Sequence, residues 1–525
     1  MTTIAALSRD LKAFEERLTG TGSPFELEML GNGSAQFKTA PHTLPDLYRR
    51  ARQSGDKILI VEDGNKLTYR QFFDRADTIA TKLIGDGCFG QRVGLCLRNK
   101  TDWLVWFVAL TSAGCSVLLV PEDASPTELL TYLGLAKTCL IVSDHEIAGL
   151  QNLCQSSGFE GTEHPSLVNP GLEALVAFSS GTTGTPKGIV HSHRSLMAGH
   201  RNMMLAGALS NRMLPNNQGG PSRAPAILIA CPLSYIAGYS SFLLAMATSG
   251  LVAYAESSSD PAKLSDQIER ECLSSISGMS DELLRQIIRS SNSGKRLRSL
   301  RQLQLHGTSL NPALIAEIAT YLPHVRLMTG YGSTELAGTI AAAPVNVVSG
   351  SKGKCGRKLP SVELRVVQGG KTLTAGQTGE IEVRGSMTTS GYLGSVDSSD
   401  SITPDGWFRT GDIGNVDDDG WLTVQGRASA LVNGAQGFPL NLTDIEEVVK
   451  RQEGVDDAVV LLQAADQGGG FQVIIQRHPN QEPDEVAIRE IVMRLGAGMP
   501  CVNWREVESF PRTRSGKIDR VRLSE

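Results

Sequence analysis

The feature that most constrains the fold is a regular alternation of strand-like and helix-like segments over residues 57–142. The predicted strands are 57–62, 93–97, 117–120 and 140–142, and the predicted helices between them are 68–85, 103–113 and 126–136. Thr68 and Gln71 form a capping-box pattern at the first helix. Because strands that alternate with helices form parallel sheets covered on both faces, this pattern predicts an α/β fold.

The last hundred residues have a different pattern. Strands are predicted at 455–462 and 471–476, and helices at 443–452 and 484–495, which together indicate a small α+β piece. Thr443 and Glu446 have the spacing of a capping box. Since the turn-rich stretch 416–420 precedes this change, we expect a large domain over residues 1–426 and a small domain over residues 427–525.

Charge and cysteine usage exclude several classes of protein. The net charge of −5 argues against a nucleic-acid surface, and none of the nine cysteines forms a C-x-x-C pair. Charged residues from Arg9 to Glu16 interrupt any apolar leader, which argues against a signal peptide. The uncharged stretches 103–121 and 224–255 are broken by Gly, Ser and Pro. We therefore expect a cytoplasmic protein with no membrane span and no nucleic-acid partner.

The strongest chemical signal is the segment 178–188, Phe-Ser-Ser-Gly-Thr-Thr-Gly-Thr-Pro-Lys-Gly, which follows a predicted strand at 174–178. Glycines let the backbone approach an anion, while hydroxyls and a lysine supply donors and charge. The candidate phosphate-binding residues are Ser179, Ser180, Gly181, Thr182, Thr183, Gly184 and Lys187. Pro186 before the lysine and Gly188 after it distinguish the segment from a Walker loop. The alternative interpretation is a flexible surface loop.

Three further segments carry weaker signals. In 329–335, a carboxylate beside a hydroxyl can hold Mg²⁺ and a phosphate oxygen, although Thr-Glu pairs also cap helices. In 406–412, Asp412 follows a glycine turn and could accept hydrogen bonds from a ribose diol, or could form an ordinary Asx-turn. By its charge alone, 511–520 is a solvated basic loop.

Taken in this order, the four segments resemble the acyl-adenylate-forming superfamily, which includes acyl-CoA synthetases, peptide-synthetase adenylation domains and luciferases. The resemblance extends from about residue 45 to the C-terminus. It implies an α/β fold with a large N-terminal domain of stacked sheets and helices and a small, mobile α+β C-terminal domain. It also implies ATP and Mg²⁺ as cofactors and a carboxylic acid as substrate.

The resemblance assigns roles to individual residues. Thr334 resembles the α-phosphate ligand, and Glu335 resembles the Mg²⁺ ligand. Lys517 resembles the catalytic lysine that bridges the substrate carboxylate and the α-phosphate. Asp412 resembles the ribose-binding residue, and Arg427 resembles the hinge arginine that reaches the ribose. The remaining nucleotide-binding residues that the resemblance implies are Gly307, Thr308, Tyr331, Gly332 and Ser333, with Tyr331 stacking on adenine.

The acid pocket is the next implication of the resemblance. Tyr235 stands where the family keeps a gating histidine, and the other implied pocket residues are Gly238, Gly330 and Leu336. There is no carboxylate from Pro232 to Ala255, the region in which peptide-synthetase adenylation domains hold an α-amino group. This favours an acid without an α-amine, and the apolar neighbours favour an acyl or aryl group.

The sequence leaves more than one candidate for the acceptor of the acyl group. Ser429 and Ala430 stand where family members carry acidic hinge residues, and the segment from there to Glu446 is one residue longer. CoA is the favoured acceptor, with a free amine or a carrier-protein phosphopantetheine as alternatives. A P-loop phosphotransferase and a degenerate nucleotide-binding module are the alternatives from other classes. Pyrophosphate release on mixing with acids and ATP separates these three classes.

Overall fold

The structure is a computed structural model. It describes residues 4–31, 33–39, 41–98, 101–144, 147, 149–154, 168–180, 186–214, 224–255, 260–291, 294–305, 312–351, 353–394, 401–433, 439–463, 470–478, 481–496, 501–513 and 518–524. The chain forms two units. Unit 1 comprises Met1–Leu364, Val383–Phe408 and Asp418–Leu422, and unit 2 comprises Arg365–Glu382, Arg409–Asp417 and Thr423–Glu525.

The helices within the described ranges carry the labels α1 (Ile4–Thr19), α2 (Leu44–Ala51), α3 (Tyr69–Gly85), α4 (Thr101–Ser112), α5 (Pro126–Ala136), α6 (His193–Met213), α7 (Ile236–Thr248), α8 (Pro261–Arg270), α9 (Asp281–Ser290), α10 (Pro312–Tyr321), α11 (Val345–Val348), α12 (Leu442–Val449), α13 (Glu485–Leu495) and α14 (Arg520–Ser524). Among the residues that the structure describes, no helix combines the length and hydropathy that crossing a membrane requires.

The strands are β1 (Leu27–Met29), β2 (Ala35–Phe37), β3 (Ile58–Glu62), β4 (Asn65–Thr68), β5 (Arg92–Cys96), β6 (Ser116–Leu119), β7 (Leu140–Ser143), β8 (Gln151–Asn152), β9 (Glu173–Ser180), β10 (Pro186–Ser192), β11 (Ala226–Ile229), β12 (Leu251–Tyr254), β13 (Ser275–Ser277), β14 (Gln302–Gln304), β15 (Arg326–Ser333), β16 (Gly338–Pro344), β17 (Lys354–Lys358), β18 (Glu363–Gln368), β19 (Lys371–Thr372), β20 (Gly379–Arg384), β21 (Gly391–Tyr392), β22 (Phe408–Val416), β23 (Trp421–Arg427), β24 (Leu431–Asn433), β25 (Pro439–Asn441), β26 (Val455–Gln463), β27 (Gly470–Arg477) and β28 (Cys501–Val507).

Three of the four strands predicted in the alternating region, β5, β6 and β7, lie in the first sheet of unit 1, whereas β3 lies in the second sheet. The first sheet has the order β21-β10-β9-β6-β5-β7-β8. Strand β5 pairs in parallel with β6 and β7, and β6 pairs in parallel with β9. Helix α3 begins with the predicted capping box, because Thr68 and Gln71 each accept the other's backbone N–H. The predicted α/β class and its parallel sheet are confirmed.

Nine consecutive strands of the second sheet lie in unit 1, in the order β17-β16-β15-β14-β13-β11-β12-β3-β4. Strands β11 to β15 are parallel, and β16 then reverses direction. In β15, residues 326–328 pair with β14, whereas residues 329–333 extend past it and pair with β16. This extension carries the predicted Thr329–Glu335 segment beyond the carboxyl edge of the parallel strands, where α/β sheets bind their ligands.

Helix α6 packs against the chain that follows β15 at this edge. A Cβ at Gly199 would collide with the carbonyl oxygen of Ala337, so only glycine lets α6 approach the chain directly after β15. The guanidinium of Arg201 lies over two aromatic rings of the N-terminal segment, 5.0 Å from Phe25 and 4.9 Å from Phe37. The N-terminal segment therefore packs on the helix that supports the carboxyl edge.

Unit 2 contains the predicted small α+β piece. Strands β26, β27 and β28 form a three-stranded sheet, and buried side chains of α12 and α13 pack on it, including Ile445, Ile488 and Val492. Earlier segments of the chain also belong to unit 2, among them most of β22 and of β23.

One local prediction in unit 2 is wrong. Helix α12 is capped by Asn441, whose side chain accepts the N–H of Thr443, so Thr443 and Glu446 form no capping box. The Glu446 carboxylate is instead buried, accepts the N–H of Val460 at 2.9 Å and pairs with Arg520 at 2.7 Å. Two distant groups compensate this buried charge, and a local spacing rule has no access to them.

Candidate active site

Three side chains of strand β10 lie on one face of the sheet, next to the candidate phosphate loop. Side chains of a strand alternate between its two faces, so Lys187, Ile189 and His191 share a face. Tyr392 of β21 lies opposite Ile189 in the antiparallel register and joins them. We call these four residues the β10 face. The Lys187 ammonium lies 5.7 Å from the centre of the Tyr392 ring, within the range of a cation–π interaction.

Residues Thr334–Leu336 form a single 3₁₀ turn directly after β15, which we call the Thr-Glu turn. Ser333 makes no side-chain cap hydrogen bond to it, so the helix-capping interpretation of this segment does not hold. Ala337 ends the turn with a φ of 50°, and its N–H donates to the carbonyl oxygen of Thr334 at 3.1 Å. A turn this short has little internal hydrogen bonding, so its position depends on outside partners.

Three hydrogen bonds hold the Thr-Glu turn against β10 and the chain around β21. The Nε2 atom of His191 lies 2.7 Å from the carbonyl oxygen of Thr334. The N–H of Thr389 donates to the carbonyl oxygen of Glu335 at 2.7 Å. The hydroxyl of Tyr392 donates to the Glu335 carboxylate at 3.2 Å. The backbone and the carboxylate of Glu335 are therefore both held from the same side.

His191 is neutral in this arrangement. Burial lowers the pKa of His191 to about 4, although the hydrogen bond to Thr334 opposes that shift. Because a carbonyl oxygen can only accept, Nε2 carries the proton, and Nδ1 accepts from the Ser195 hydroxyl at 3.0 Å.

The Thr-Glu turn fits a magnesium ion that arrives with a nucleotide. Mg²⁺ is usually held by one or two carboxylates together with substrate phosphates and waters. Glu335 is half-buried, and it follows Thr334 directly in the turn at the carboxyl edge. Within the described ranges, no group of three His, Cys, Asp or Glu could hold a metal by protein ligands alone. Glu335 and the Thr334 hydroxyl fit a site in which phosphate oxygens supply the remaining metal ligands.

The candidate phosphate loop is only partly described. Ser179 and Ser180 end β9 and pair with Lys187 and Pro186 of β10. The β9–β10 hairpin therefore brings both ends of the loop together next to the β10 face. Gly181, Thr182, Thr183 and Gly184 lie outside the described residues, and so do Gly307 and Thr308.

Two glycines in β15 are required by the pairing with β16. A Cβ at Gly330 would lie 2.8 Å from the carbonyl oxygen of Ala341, and one at Gly332 would collide with the carbonyl oxygen of Gly338. Tyr331 lies between them and is half-buried. Close backbone approach explains the glycines, and Tyr331 between them is partly exposed.

The predicted acid-pocket residues belong to two neighbouring segments. Tyr235 directly precedes α7 and is half-buried, and Leu336 in the Thr-Glu turn is fully buried. A Cβ at Gly338 would come within 4.0 Å of the side chain of Ile236. A Cβ at Gly238 would lie 2.5 Å from the carbonyl oxygen of Pro232, so this glycine is required by backbone packing. The start of α7 and the end of the Thr-Glu turn are therefore adjacent.

Asp412 and Arg427 are brought together in unit 2. The Asp412 carboxylate is 4% exposed and lies 3.0 Å from the guanidinium of Arg427, which is itself largely exposed. Gly411 precedes Asp412 with a φ of +70°, a conformation that favours glycine. The side chain of Arg427 also donates to the carbonyl oxygen of Thr410 at 3.0 Å.

Lys517 lies outside the described residues. The chain on either side of it belongs to unit 2, where Arg512 and Ile518 form an isolated antiparallel bridge. Asp519 donates its N–H to the carbonyl oxygen of Pro511 at 2.8 Å. Arg520, three residues after the lysine, forms the ion pair with the buried Glu446.

Sequence reasoning missed His191, Thr389 and Tyr392. Period-two alternation from Lys187 could have singled out His191 as a residue of the same strand face. Tyr392 and Thr389 carry no comparable local signal. Their place depends on the pairing of β21 with β10, which joins segments about two hundred positions apart in the chain.

Comparison with known proteins places the chain among nucleotide-using enzymes. The family model described as AMP-binding enzyme matches residues 47–393. A 2-succinylbenzoate–CoA ligase of Listeria innocua is 26% identical over 493 residues, which cover 91% of this chain and 98% of that protein.

Two solved structures share the fold. An O-succinylbenzoate coenzyme A synthetase of Bacillus subtilis, in complex with ATP and a magnesium ion, aligns with a TM-score of 0.76 at 21% identity, covering 91% of this chain and 99% of its own. The amide bond synthetase McbA of Marinactinospora thermotolerans aligns with a TM-score of 0.74 at 24% identity, covering 91% and 98%.

Proposed function

Since this chain belongs to the AMP-binding enzyme family, we propose that it activates a carboxylic acid with ATP and passes the acyl group to CoA. In the first step a carboxylate oxygen attacks the α-phosphorus, the bond to the β-phosphate breaks, and pyrophosphate leaves. In the second step the thiolate sulfur attacks the acyl carbonyl and AMP leaves. Both steps conserve oxidation state, so no redox partner is required.

The observation that carries this proposal is the meeting of the β10 face with the Thr-Glu turn. Lys187, Thr334 and Glu335 come from two separate segments, and each has a phosphate or metal role by resemblance. Tyr392 lies between them, since it contacts both Lys187 and Glu335. A surface loop without function has no reason to bring a lysine and a half-buried carboxylate to the same tyrosine.

The charges suit an attack on a phosphate. A carboxylate that approaches the triphosphate meets negative charge, and negative charge then develops on the leaving pyrophosphate. Lys187 supplies positive charge at the mouth of the candidate phosphate loop. Mg²⁺, held by Glu335 and the phosphate oxygens, would supply further neutralisation. We assign the ribose to Asp412 and Arg427, the adenine to Tyr331, and the bridging contact between the carboxylate and the α-phosphate to Lys517.

The acid that we propose has an apolar acyl or aryl group and no α-amine. The stretch 232–255 provides no carboxylate to pair with an ammonium group. The similar protein from Listeria is named for an aromatic acid, and a 4-coumarate–CoA ligase-like protein of Arabidopsis thaliana is 26% identical over 469 residues. These names support an aromatic acid.

Tyr235→Ala is expected to change which acids are accepted while leaving the affinity for ATP unchanged. The side chain is half-buried at the start of α7, next to the segment that contains Leu336 and Gly338. Removing the ring enlarges the space there and favours bulkier acids. The measurement is pyrophosphate release across a graded series of acids. Tyr239→Phe is the control, because Tyr239 is a buried tyrosine of the same helix. An unaltered acid profile would assign Tyr235 to core packing.

CoA is the acceptor that the names of the similar proteins support. A free amine is the alternative, and its support is the hinge: Ser429 is exposed and Ala430 half-buried where the family carries acidic residues. If these residues slow the change to the conformation that admits the CoA thiol, the adenylate persists and can react with an amine. An acidic side chain restored at this position should then favour the thioester.

The deciding experiment supplies ATP, Mg²⁺ and a panel of aromatic and aliphatic acids, with CoA or amines, and detects products by mass spectrometry. We expect pyrophosphate and AMP with at least one acid, and a thioester with CoA. We expect Ser429→Asp to raise the ratio of thioester to amide, and Ser429→Asn to leave that ratio unchanged. ADP as the product would indicate a phosphotransferase. ATP binding without any turnover would indicate a module that has lost activity.

A further inference from the structure

His191 is a buried histidine, and each of its two ring nitrogens forms a hydrogen bond. It is fully buried, with Nε2 against the carbonyl oxygen of Thr334 and Nδ1 against the hydroxyl of Ser195. His200 of α6 is also buried, but neither of its ring nitrogens has a hydrogen-bond partner among the described residues. Of these two histidines, only His191 bonds a residue of the Thr-Glu turn.

The position of His191 on β10 gives that bond a consequence. His191 lies four residues after Lys187 on the same strand face, a separation of about 13 Å along an extended strand. A rigid strand therefore carries the lysine at one end and, at the other, the donor that holds the Thr-Glu turn. This bond is therefore one of the contacts that set the distance between Lys187 and the turn.

The turn needs such a donor. Within it, the carbonyl oxygen of Thr334 accepts the N–H of Ala337, and no side chain caps its start. Among the described residues, the other two hydrogen bonds that hold the turn, from Thr389 and Tyr392, reach Glu335. Of these three bonds, the one from His191 holds Thr334.

We propose that His191 is a positioning residue of the adenylation site, which fixes Thr334 and Glu335 at the distance from Lys187 that a bound triphosphate requires. This inference rests on the proposed function for the roles of Thr334, Glu335 and Lys187. His191 itself touches no substrate. It acts by holding the backbone that presents the α-phosphate ligand and the metal ligand.

The test compares H191Q with H191N. The glutamine amide nitrogen takes the place of Nε2 and can still donate to Thr334, whereas the asparagine amide reaches only the place of Nδ1, near Ser195. Both variants keep a small polar amide in the buried site, so a general effect of lost burial applies to both. H191Q is expected to behave like the natural protein. H191N is expected to lose roughly 10- to 100-fold in the rate of pyrophosphate release, the usual effect of removing a partner that orients a metal ligand.

A second readout does not depend on turnover. ATP affinity is measured by calorimetry with MgCl₂ and again with EDTA. The natural protein and H191Q are expected to bind ATP more tightly with Mg²⁺, and H191N is expected to lose most of that difference. A purely structural role would lower the melting temperature without changing the ratio of the two affinities. H200N is the matched control, a histidine-to-asparagine change at a buried site whose ring forms no hydrogen bond to the turn, and it should keep the natural ratio.

The outcomes separate this inference from the proposed function. If H191N keeps both the natural rate and the natural magnesium ratio, His191 positions nothing. If H191Q and H191N are equally impaired at native melting temperatures, the Nε2 bond is not the cause and the inference is overturned. If the natural protein releases no pyrophosphate with any acid, the proposed function fails, and the magnesium ratio of the two variants still tests His191.

Discussion

Replacing Lys517 with alanine is expected to slow adenylate formation roughly 100- to 1,000-fold, because one preorganised positive charge is lost where the carboxylate attacks the α-phosphate. The measurement is pyrophosphate release at saturating ATP and acid. The second half-reaction, in which a supplied acyl-adenylate is converted to the thioester, should keep most of its rate. Its transition state does not involve attack on phosphorus.

The fold of the variant should be intact. The neighbours of Lys517 are held by contacts that do not involve its side chain, including the Arg512–Ile518 bridge and the ion pair of Arg520 with Glu446. Lys371→Ala is the matched control, since Lys371 is an exposed lysine of unit 2 on strand β19. If the Lys517 variant released pyrophosphate at most of the natural rate, the catalytic assignment would be wrong.

Asp412→Asn is expected to weaken ATP binding by about 1.5–3 kcal/mol, roughly a tenfold to hundredfold rise in Kd, because a charge-assisted contact to the ribose is lost. Asparagine has nearly the same size and can still occupy the buried site. The ion pair with Arg427 is also lost, but that guanidinium is 58% exposed, so the loss in stability should be about 1 kcal/mol or less. Binding and folding effects can therefore be separated by calorimetry and thermal unfolding.

Deoxy-ATP analogues make the ribose assignment sharper. If Asp412 accepts from the diol, 2′-deoxy- or 3′-deoxy-ATP should bind the natural protein more weakly than ATP and bind the Asp412→Asn variant about as well as ATP does, the pattern expected of two coupled groups. Asp418→Asn, an exposed aspartate on the following turn, is the control. If removal of the hydroxyl weakens nucleotide binding equally in the natural protein and in the Asp412→Asn variant, Asp412 does not bind the ribose. Its role would then be structural, as the partner of Arg427.

Local sequence patterns predicted the bounds of helices and strands well where the patterns were regular. The helix predicted at 126–136 has those bounds, and the strand predicted at 140–142 ends one residue later, at Ser143. The capping box at Thr68 is present, because both of its hydrogen bonds join residues three positions apart. The same pattern misled at Thr443, where Asn441 takes the cap and the Glu446 carboxylate is drawn to Val460 and Arg520. A buried ion pair outweighed a local preference.

The family was also predictable, since four motifs in a fixed order are a property of the chain itself. The roles of their residues remain predictions. For Gly181, Thr182, Thr183, Gly184, Gly307, Thr308 and Lys517, the motif is the only support, because they lie outside the described residues.

The sequence by itself determined the alternation of strands and helices and the family, and it supplied the predictions of which residues bind phosphate and metal. The alternation follows from periodicity over a few tens of residues, whereas the family and the predicted roles follow from the resemblance of four short motifs in a fixed order. Only the tertiary structure decided that Tyr392 lies between Lys187 and Glu335, and that His191 holds Thr334, which is 143 positions further along the chain. The physical reason is that these contacts depend on the register between distant strands. That register is set by the packing of the whole unit, and no local pattern around His191 or Tyr392 encodes it.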